Sequence, residues 1–183
     1  EPTLSAPVAL GGVVRQAHAS GDRLRVRYAV AQLDLETFSL GAGAPVSLGR
    51  GRVALPDDGD SFSWLSFEGN RAFEVVQSGR LAVLDLDDPA APRLASTLEL
   101  ELSGSQLTIA GDRVLAAGRS TLDIDAAPEG VIARGPLALV LVDIADLAAP
   151  RVVDRVTLGG IDSVTDGLLE LRGERALFSY YEA

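Results

Sequence analysis

The chain has 183 residues, 47% hydrophobic and only 5% aromatic, with 16 basic and 26 acidic side chains, a net charge of −10 and a pI near 4.5. That length suits one domain with an aliphatic core, and that charge repels phosphate backbones and anionic lipid surfaces, so nucleic acid is excluded as a partner class. With no Cys there are no disulfides, thiolate zinc sites or cysteine nucleophiles, and no apolar run approaches the roughly 20 residues of a membrane span, so direct membrane insertion is not expected.

In chain order, the first patterned stretch follows the turn "GDRL" at Gly21. Leu24, Val26, Tyr28 and Val30 alternate with Arg23, Arg25, Arg27 and Ala29, the period of a half-buried strand. "LDLETFSLGAGAP" (Leu33–Pro45) follows, then the acidic turn "PDDGDSFSW" (Pro56–Trp64), whose end opens the strand "FSWLSF". A second turn, "GNRA" at Gly69, precedes the apolar run "AFEVVQ". Leu81–Leu86 is nearly all apolar and fits a strand covered on both faces. "DDPAAP" then turns the chain, because Asp88 accepts backbone N–H bonds and each Pro lacks a donor. Arg93–Leu102 alternates again, with one slip at Ser96. "GDRV" at Gly111 leads into a strand over Val114–Ala117, and "DIDAAPEGVIARGP" (Asp123–Pro136) reads as an insertion. Ala138–Ile144 is another doubly covered strand, "DLAAPR" a second Asp-Pro turn, and "GERA" at Gly173 a last turn before "ALFSYY". No helix longer than two turns is predicted.

Two of these phrases are copies. Leu81–Leu100 aligns on Leu139–Leu158 at a constant offset, with eight of twenty positions identical, among them Asp85/Asp143, Asp88/Asp146 and the "AAPR" of Ala90–Arg93 and Ala148–Arg151. The four glycine turns recur at spacings of 48, 42 and 62 residues, the longest holding the insertion. Repeats of about 40–50 residues built from short strands are the signature of propeller blades. The predicted fold is all-β, a β-propeller of three to four blades in one domain over 1–183, with units near 21–68, 69–110 and 111–172 and a further one starting at 173–183.

The phrase "LAVLDLDDPAAPRLASTLEL" resembles the LVIVD repeat, whose pattern is an apolar strand, Asp, an aliphatic residue, then D-P-x-x-P. It is also similar to bacterial secreted β-propeller domains in which a "GDRAY"-like strand precedes a "DLSDPxxP" strand, as "GNRAF" precedes "DLDDPAAP" here. The resemblance covers Trp64–Leu100 and Gly111–Leu158. The later copy has Leu147 at the first Pro, and the N-terminal unit keeps Asp34 and a late Pro without the close spacing. The resemblance implies a propeller outside the cytoplasm (periplasmic, on the outer surface or secreted), often in lipoproteins or cell-surface proteins. It supplies no catalytic residues.

Candidate chemistry is sparse. His18 is the only histidine, so a Ser-His-Asp relay or a histidine metal site has to use it. It stands beside a turn in "QAHASGD", with no G-x-S-x-G in the chain, and reads as a solvated strand-end side chain. Asp57-x-Gly59-x-Ser61-Phe62 partly resembles the Asp-box hairpin of sialidase-type propellers, with Leu55 where that motif has Ser or Thr. Its carboxylates offer oxygen ligands for calcium in a spacing that fits no EF-hand, and it reads as a solvated turn. Asp123, Asp125 and Glu129 of the insertion present either cation ligands or a decorating hairpin. "GAGAP" has no downstream Lys and no helix after it, so it is no phosphate loop. Trp64 shares a strand face with Phe62 and Ser66 and reads as core rather than as a sugar-stacking platform.

The reading is therefore an extracytoplasmic binding or scaffold module that meets a protein or a surface polymer through its loops, with no catalytic residue, cofactor or metal assigned. Its rival is a hydrolase or lyase acting on glycans with Asp and Glu facing each other across a cleft. Propellers close with typically about four to eight blades. The chain is thus expected to be part of a larger propeller, or to pair with another chain. The alternative is a small four-bladed ring, with "APVALGGVVRQAHA" closing against "RALFSYYEA".

Overall fold

The computed structural model describes residues 10–29, 32–41, 43–55, 65–76, 78–122, 135–158, 169–172 and 175–178. Among them there is no helix, and the fold is all-β, built of antiparallel sheets. The first sheet joins β1 (Val14–Ser20), β2 (Arg23–Tyr28), β3 (Leu33–Ser39) and β4 (Val46–Val53) in chain order. The second joins β5 (Ser66–Glu68), β6 (Arg71–Val75), β7 (Arg80–Asp85) and β8 (Arg93–Glu99) in the same way. The third joins β9 (Leu102–Ala110), β10 (Arg113–Ser120), β11 (Leu137–Asp143) and β12 (Arg151–Leu158). β13 (Leu169–Arg172) and β14 (Arg175–Phe178) form a hairpin. The strands predicted at Leu81–Leu86, Val114–Ala117 and Ala138–Ile144 are present as β7, β10 and β11.

Each glycine turn of the first three falls between the first and second strands of a sheet. Gly21, Gly69 and Gly111 take φ values of 59°, 55° and 57°, left-handed backbone that a Cβ disfavours. The residue after each third strand then reaches back to that turn. Leu40, Leu86 and Ile144 donate their N–H to the carbonyls of Asp22, Asn70 and Asp112 at 2.6, 2.8 and 3.0 Å. A third shared feature lies in the outermost strands. Leu48, Ala95 and Val153, each the third residue of its strand, have no opposite number in the ladder and form bulges. The last two stand at the same offset as the two copied phrases.

The bulge explains the slip at Ser96. In an uninterrupted strand Leu94 and Leu98 share a face. With Ala95 inserted they part: Leu94 packs with the first sheet, and Ala95 and Leu98 pack with the third. The strand also ends sooner than its alternation suggests. Glu101, at φ 52°, breaks the run after buried Leu100, and Leu102 already belongs to β9.

The second sheet is covered on both sides. Phe73, Val75, Leu81 and Val83 pack on Val114, Ala116, Ala138, Val140 and Val142 of the third sheet. Ala72, Leu84 and Leu86 pack on Leu33, Leu35 and Val53 of the first. This is why Leu81–Leu84 of β7 reads as a continuous apolar run while the outermost strands carry charge.

The copied phrases perform one job twice. Asp85 Oδ1 accepts the N–H of Asp87 at 3.0 Å, and its Oδ2 receives Arg93 Nη2 at 2.6 Å. Asp143 Oδ1 accepts the N–H of Ala145 at 3.1 Å, and its Oδ2 receives Arg151 Nη2 at 3.0 Å. Asp88 and Asp146 close the turns by accepting the N–H of Ala90 and Ala148 at 2.9 and 3.0 Å. In the first sheet the corresponding position, opposite Arg23, is Ser39. Asp34 lies near the other end of β3 and takes no part in a turn.

Each such turn rests on the sheet before it. The Pro89–Pro92 turn lies across Gly49 and Gly51 of β4: a Cβ on Gly49 would stand 2.5 Å from the backbone nitrogen of Ala90, and one on Gly51 would overlap the Pro92 ring. The next turn lies on β8, where Ser96 Oγ donates to the carbonyl of Leu147 at 2.5 Å and Leu147 packs into the core. Gly51→Ala is therefore expected to destabilise the protein by about 1–3 kcal/mol, as overpacking does. Urea denaturation checks this; a midpoint equal to that of the parent chain contradicts the contact.

Candidate functional site

Polar chemistry gathers on the two faces of the first sheet. Between the first and second sheets, β1 and β2 present Gln16, His18, Arg25 and Arg27 to β5 and β6. The Gln16 amide clasps Leu65 in both directions, Nε2 donating to its carbonyl at 2.7 Å and Oε1 accepting its N–H at 3.0 Å. Arg27 and Glu74, 5% and 0% exposed, form a buried ion pair at 3.3 Å. Burial lowers the Arg27 pKa, and Glu74 works against that shift. Arg25 is 3% exposed, and its Nη2 donates to Asn70 Oδ1 at 3.1 Å. Its guanidinium stands 5.8 Å from the Phe67 ring centroid, and its Nε is buried with no hydrogen-bond partner among the described residues. Burial first, and Arg23 second, lower its pKa.

The alternation of β2 predicted one buried face with the arginines on the other. The structure corrects this: Arg25 and Arg27 are buried along with Val26 and Tyr28, because the second sheet covers the arginine face. The signal that marks such a face is Glu74, a carboxylate inside the apolar run "AFEVVQ".

On the other face of the first sheet, Asp34 is wholly buried. It receives Arg50 Nε at 2.7 Å, Arg50 Nη2 at 2.9 Å and Arg52 Nε at 3.2 Å. The Arg50 hydrogen bonds lead in holding its carboxyl below the usual range, against the opposing effect of burial. The Arg50 guanidinium also lies 4.0 Å from the Tyr28 ring centroid. Tyr28 Oη donates to Glu36 Oε2 at 2.5 Å, and burial, then Glu36, push the phenol above its ordinary value.

His18 is half-buried rather than solvated, its ring stacked on Phe67 with centroids 5.0 Å apart. The structure thus sets a phenyl ring against the imidazole. Asp57, Gly59, Ser61 and Trp64, and Asp123, Asp125 and Glu129 of the insertion, lie outside the described residues. Among the described residues no three acidic or histidine side chains group closely enough to hold a metal ion.

The resolved carboxylate shifts run in one direction. Asp34, Asp85 and Asp143 are all held below the ordinary value, Asp143 at about 2, by the N–H of Ala145 first and then by Arg113 and Arg151. A carboxyl that must donate a proton near neutrality needs the opposite shift. These groups instead act as permanent anions that lock turns and strands. Compared with protein-family models the chain matches none, and no curated protein matches it.

Two outcomes follow. Asn70→Ala removes the side-chain acceptor of Arg25 and also the amide that donates to Asp87 Oδ1 at 3.0 Å. A loss of about 1–3 kcal/mol, the cost of leaving a buried donor unsatisfied, is expected in chemical denaturation. Because the folded-state pKa of Asp143 is depressed to about 2, its contribution is complete above the ordinary carboxylate value and is lost as pH falls from about 4 through 2. Asp143→Asn is therefore expected to melt below the parent chain at pH 7, with the difference shrinking towards pH 2. Melting curves across that range check it.

Proposed function

We propose that this chain is a β-propeller segment of the LVIVD-repeat kind that serves outside the cytoplasm as a binding or scaffold module, meeting a protein or a surface polymer without catalysis. The observation that carries this reading is the recurrence of one four-stranded sheet three times, with the same glycine turn and the same outer bulge, and with a turn of the second and of the third sheet seated on the sheet before it. Four-stranded meanders succeeding one another face to face are the plan of propeller blades. The extracytoplasmic location rests on the resemblance of "LAVLDLDDPAAP" to that repeat.

The charge chemistry supports a binder over a glycan hydrolase. A hydrolase of that kind needs one carboxyl kept protonated opposite a second that is ionised. Asp34, Asp85 and Asp143 are each tied to arginine and shifted the other way. Rigid turns locked by Asp–Arg pairs suit a scaffold whose loops make the contacts.

Co-sedimentation of the purified protein with bacterial envelope fractions, before and after protease digestion of the fraction, tests the reading. Binding that survives digestion identifies a polymer partner, and binding that digestion abolishes identifies a protein. Release of reducing sugar ends from the same fractions overturns the non-catalytic reading, and no sedimentation with any fraction overturns the surface-contact reading.

A further inference from the structure

Between the second and third sheets, the charge at the turn end of the gap is balanced from within the chain. Arg71 follows the glycine turn of the second sheet and crosses to the turn of the third, its Nη1 donating to Asp112 Oδ1 and its Nη2 to the carbonyl of Gly111, both at 3.1 Å. The same pattern of Gly, turn residue and Arg leads into β2, β6 and β10, so Arg23 corresponds to Arg71, and Asn70 corresponds to Asp112. Between the first and second sheets, then, the arginine is kept and a neutral amide stands in place of the carboxylate.

That gap also holds one cation more. Arg25 stands where the other two sheets have Phe73 and Leu115, and it shares with Arg23 the face of β2 turned to the second sheet. Its Nη2 reaches Asn70 Oδ1, so the guanidinium lies at the turn end of the gap, with half-buried Arg23 one step nearer the turn. Among the described residues neither arginine makes an ion pair, and Arg25 Nε is buried without a hydrogen bond. Asp87 is reached only through the Asn70 amide. Taking a guanidinium out of water without a paired anion is strongly unfavourable, and a second cation beside it adds repulsion. Elsewhere in the chain a carboxylate fills the Nε–Nη2 edge: Arg50 gives both groups to Asp34, and Arg93 gives both to Asp85.

We propose that the carboxylate of this gap comes from outside the chain: a small monocarboxylate binds between Arg23 and Arg25, beside Asn70, in the place that Asp112 fills at the next interface. A planar carboxylate matches the Nε–Nη2 edge of a guanidinium and can accept from a second cation at the same time. The net charge of −10 limits the ligand class. A single carboxylate is drawn in by the local pair of arginines, whereas a densely charged polyanion is repelled by the chain as a whole. The site goes beyond the module reading and does not rest on it.

Sodium acetate compared with sodium chloride at equal ionic strength tests the site. The parent chain is expected to melt higher in acetate, with a dissociation constant on the order of 1 mM for so small a ligand. The nitrogen–proton resonance of Arg25 Nε is expected to shift with the same midpoint. Arg23→Gln is expected to raise the dissociation constant about tenfold. Asn70→Asp puts a carboxylate where Asp112 stands at the next interface and is expected to abolish the response to acetate. Equal melting of the parent chain in the two salts overturns the proposal, as does an Arg25 Nε resonance that acetate leaves unmoved. A response that both variants retain in full also overturns it, because acetate then acts elsewhere on the protein.

Discussion

How closely a turn of one sheet lies against the outermost strand of the sheet before it governs much of this structure. Facing sheets pack about 10 Å apart when side chains interdigitate. At Gly49 and Gly51 the gap narrows until the Pro89–Pro92 backbone occupies the place of a side chain. Such an approach needs glycine on one partner and a turn of fixed shape on the other. Fixed shape comes from the carboxylates: Asp85 and Asp88 hold the turn from within, and Arg93 ties its exit to its entrance. Pro92, which is buried, removes a donor that would otherwise be shut away from water. The outer bulge serves the same contact, because a residue added to the strand turns Ala95 and Leu98 towards the sheet that follows.

The two sheet interfaces are stabilised differently. Between the second and third sheets the contact is aliphatic, with Phe73, Leu81 and Val83 against Val114 and Val140, all fully buried. Between the first and second it is aliphatic towards β3 and β7 and polar towards β1 and β2. A buried ion pair such as Arg27–Glu74 gives little net stability, because its attraction first offsets the loss of hydration. Its larger effect is selective: a register that separates the two leaves a charge buried alone, which is strongly unfavourable. The Gln16–Leu65 clasp and the Arg25–Asn70 bond act alike, since each requires one particular neighbour across the gap.

Much of this architecture was legible beforehand. Leu81–Leu86 and Ala138–Ile144 read as doubly covered strands because apolar residues filled both parities; β7 is buried on both faces, whereas β11 packs Ala138, Val140 and Val142 into the core and leaves Leu139 and Leu141 half-buried. The glycine turns were visible because a left-handed backbone followed by Arg and an apolar run leaves a local trace. Other features left none. The slip at Ser96 was seen, but its cause was not, since a bulge is a property of two strands. Asp34 matched the Asp of the copied phrase by type, yet it sits near the other end of its strand, bound by arginines sixteen and eighteen residues further on. His18 stood beside a turn and read as solvated, although Phe67, far along the chain, covers its ring.

By itself, then, the sequence determined what depends on neighbours along the chain: the strand period, the turn chemistry, the copied Asp-Pro phrase, and the all-β class that these imply. What lies across a gap was decided by tertiary structure. Arg23, Arg25 and Arg27 repeat at the same spacing as Leu24, Val26 and Tyr28, and periodicity cannot say which set faces water when both are covered. Only the arrival of β6 with Glu74, and of the turn before it with Asn70, puts two of those arginines inside. The same holds for Val153 and Val156, whose exposure is set by what does or does not rest on β12. Local pattern reports the covalent neighbourhood, whereas burial, charge pairing and the openness of a surface depend on residues that only the fold brings near.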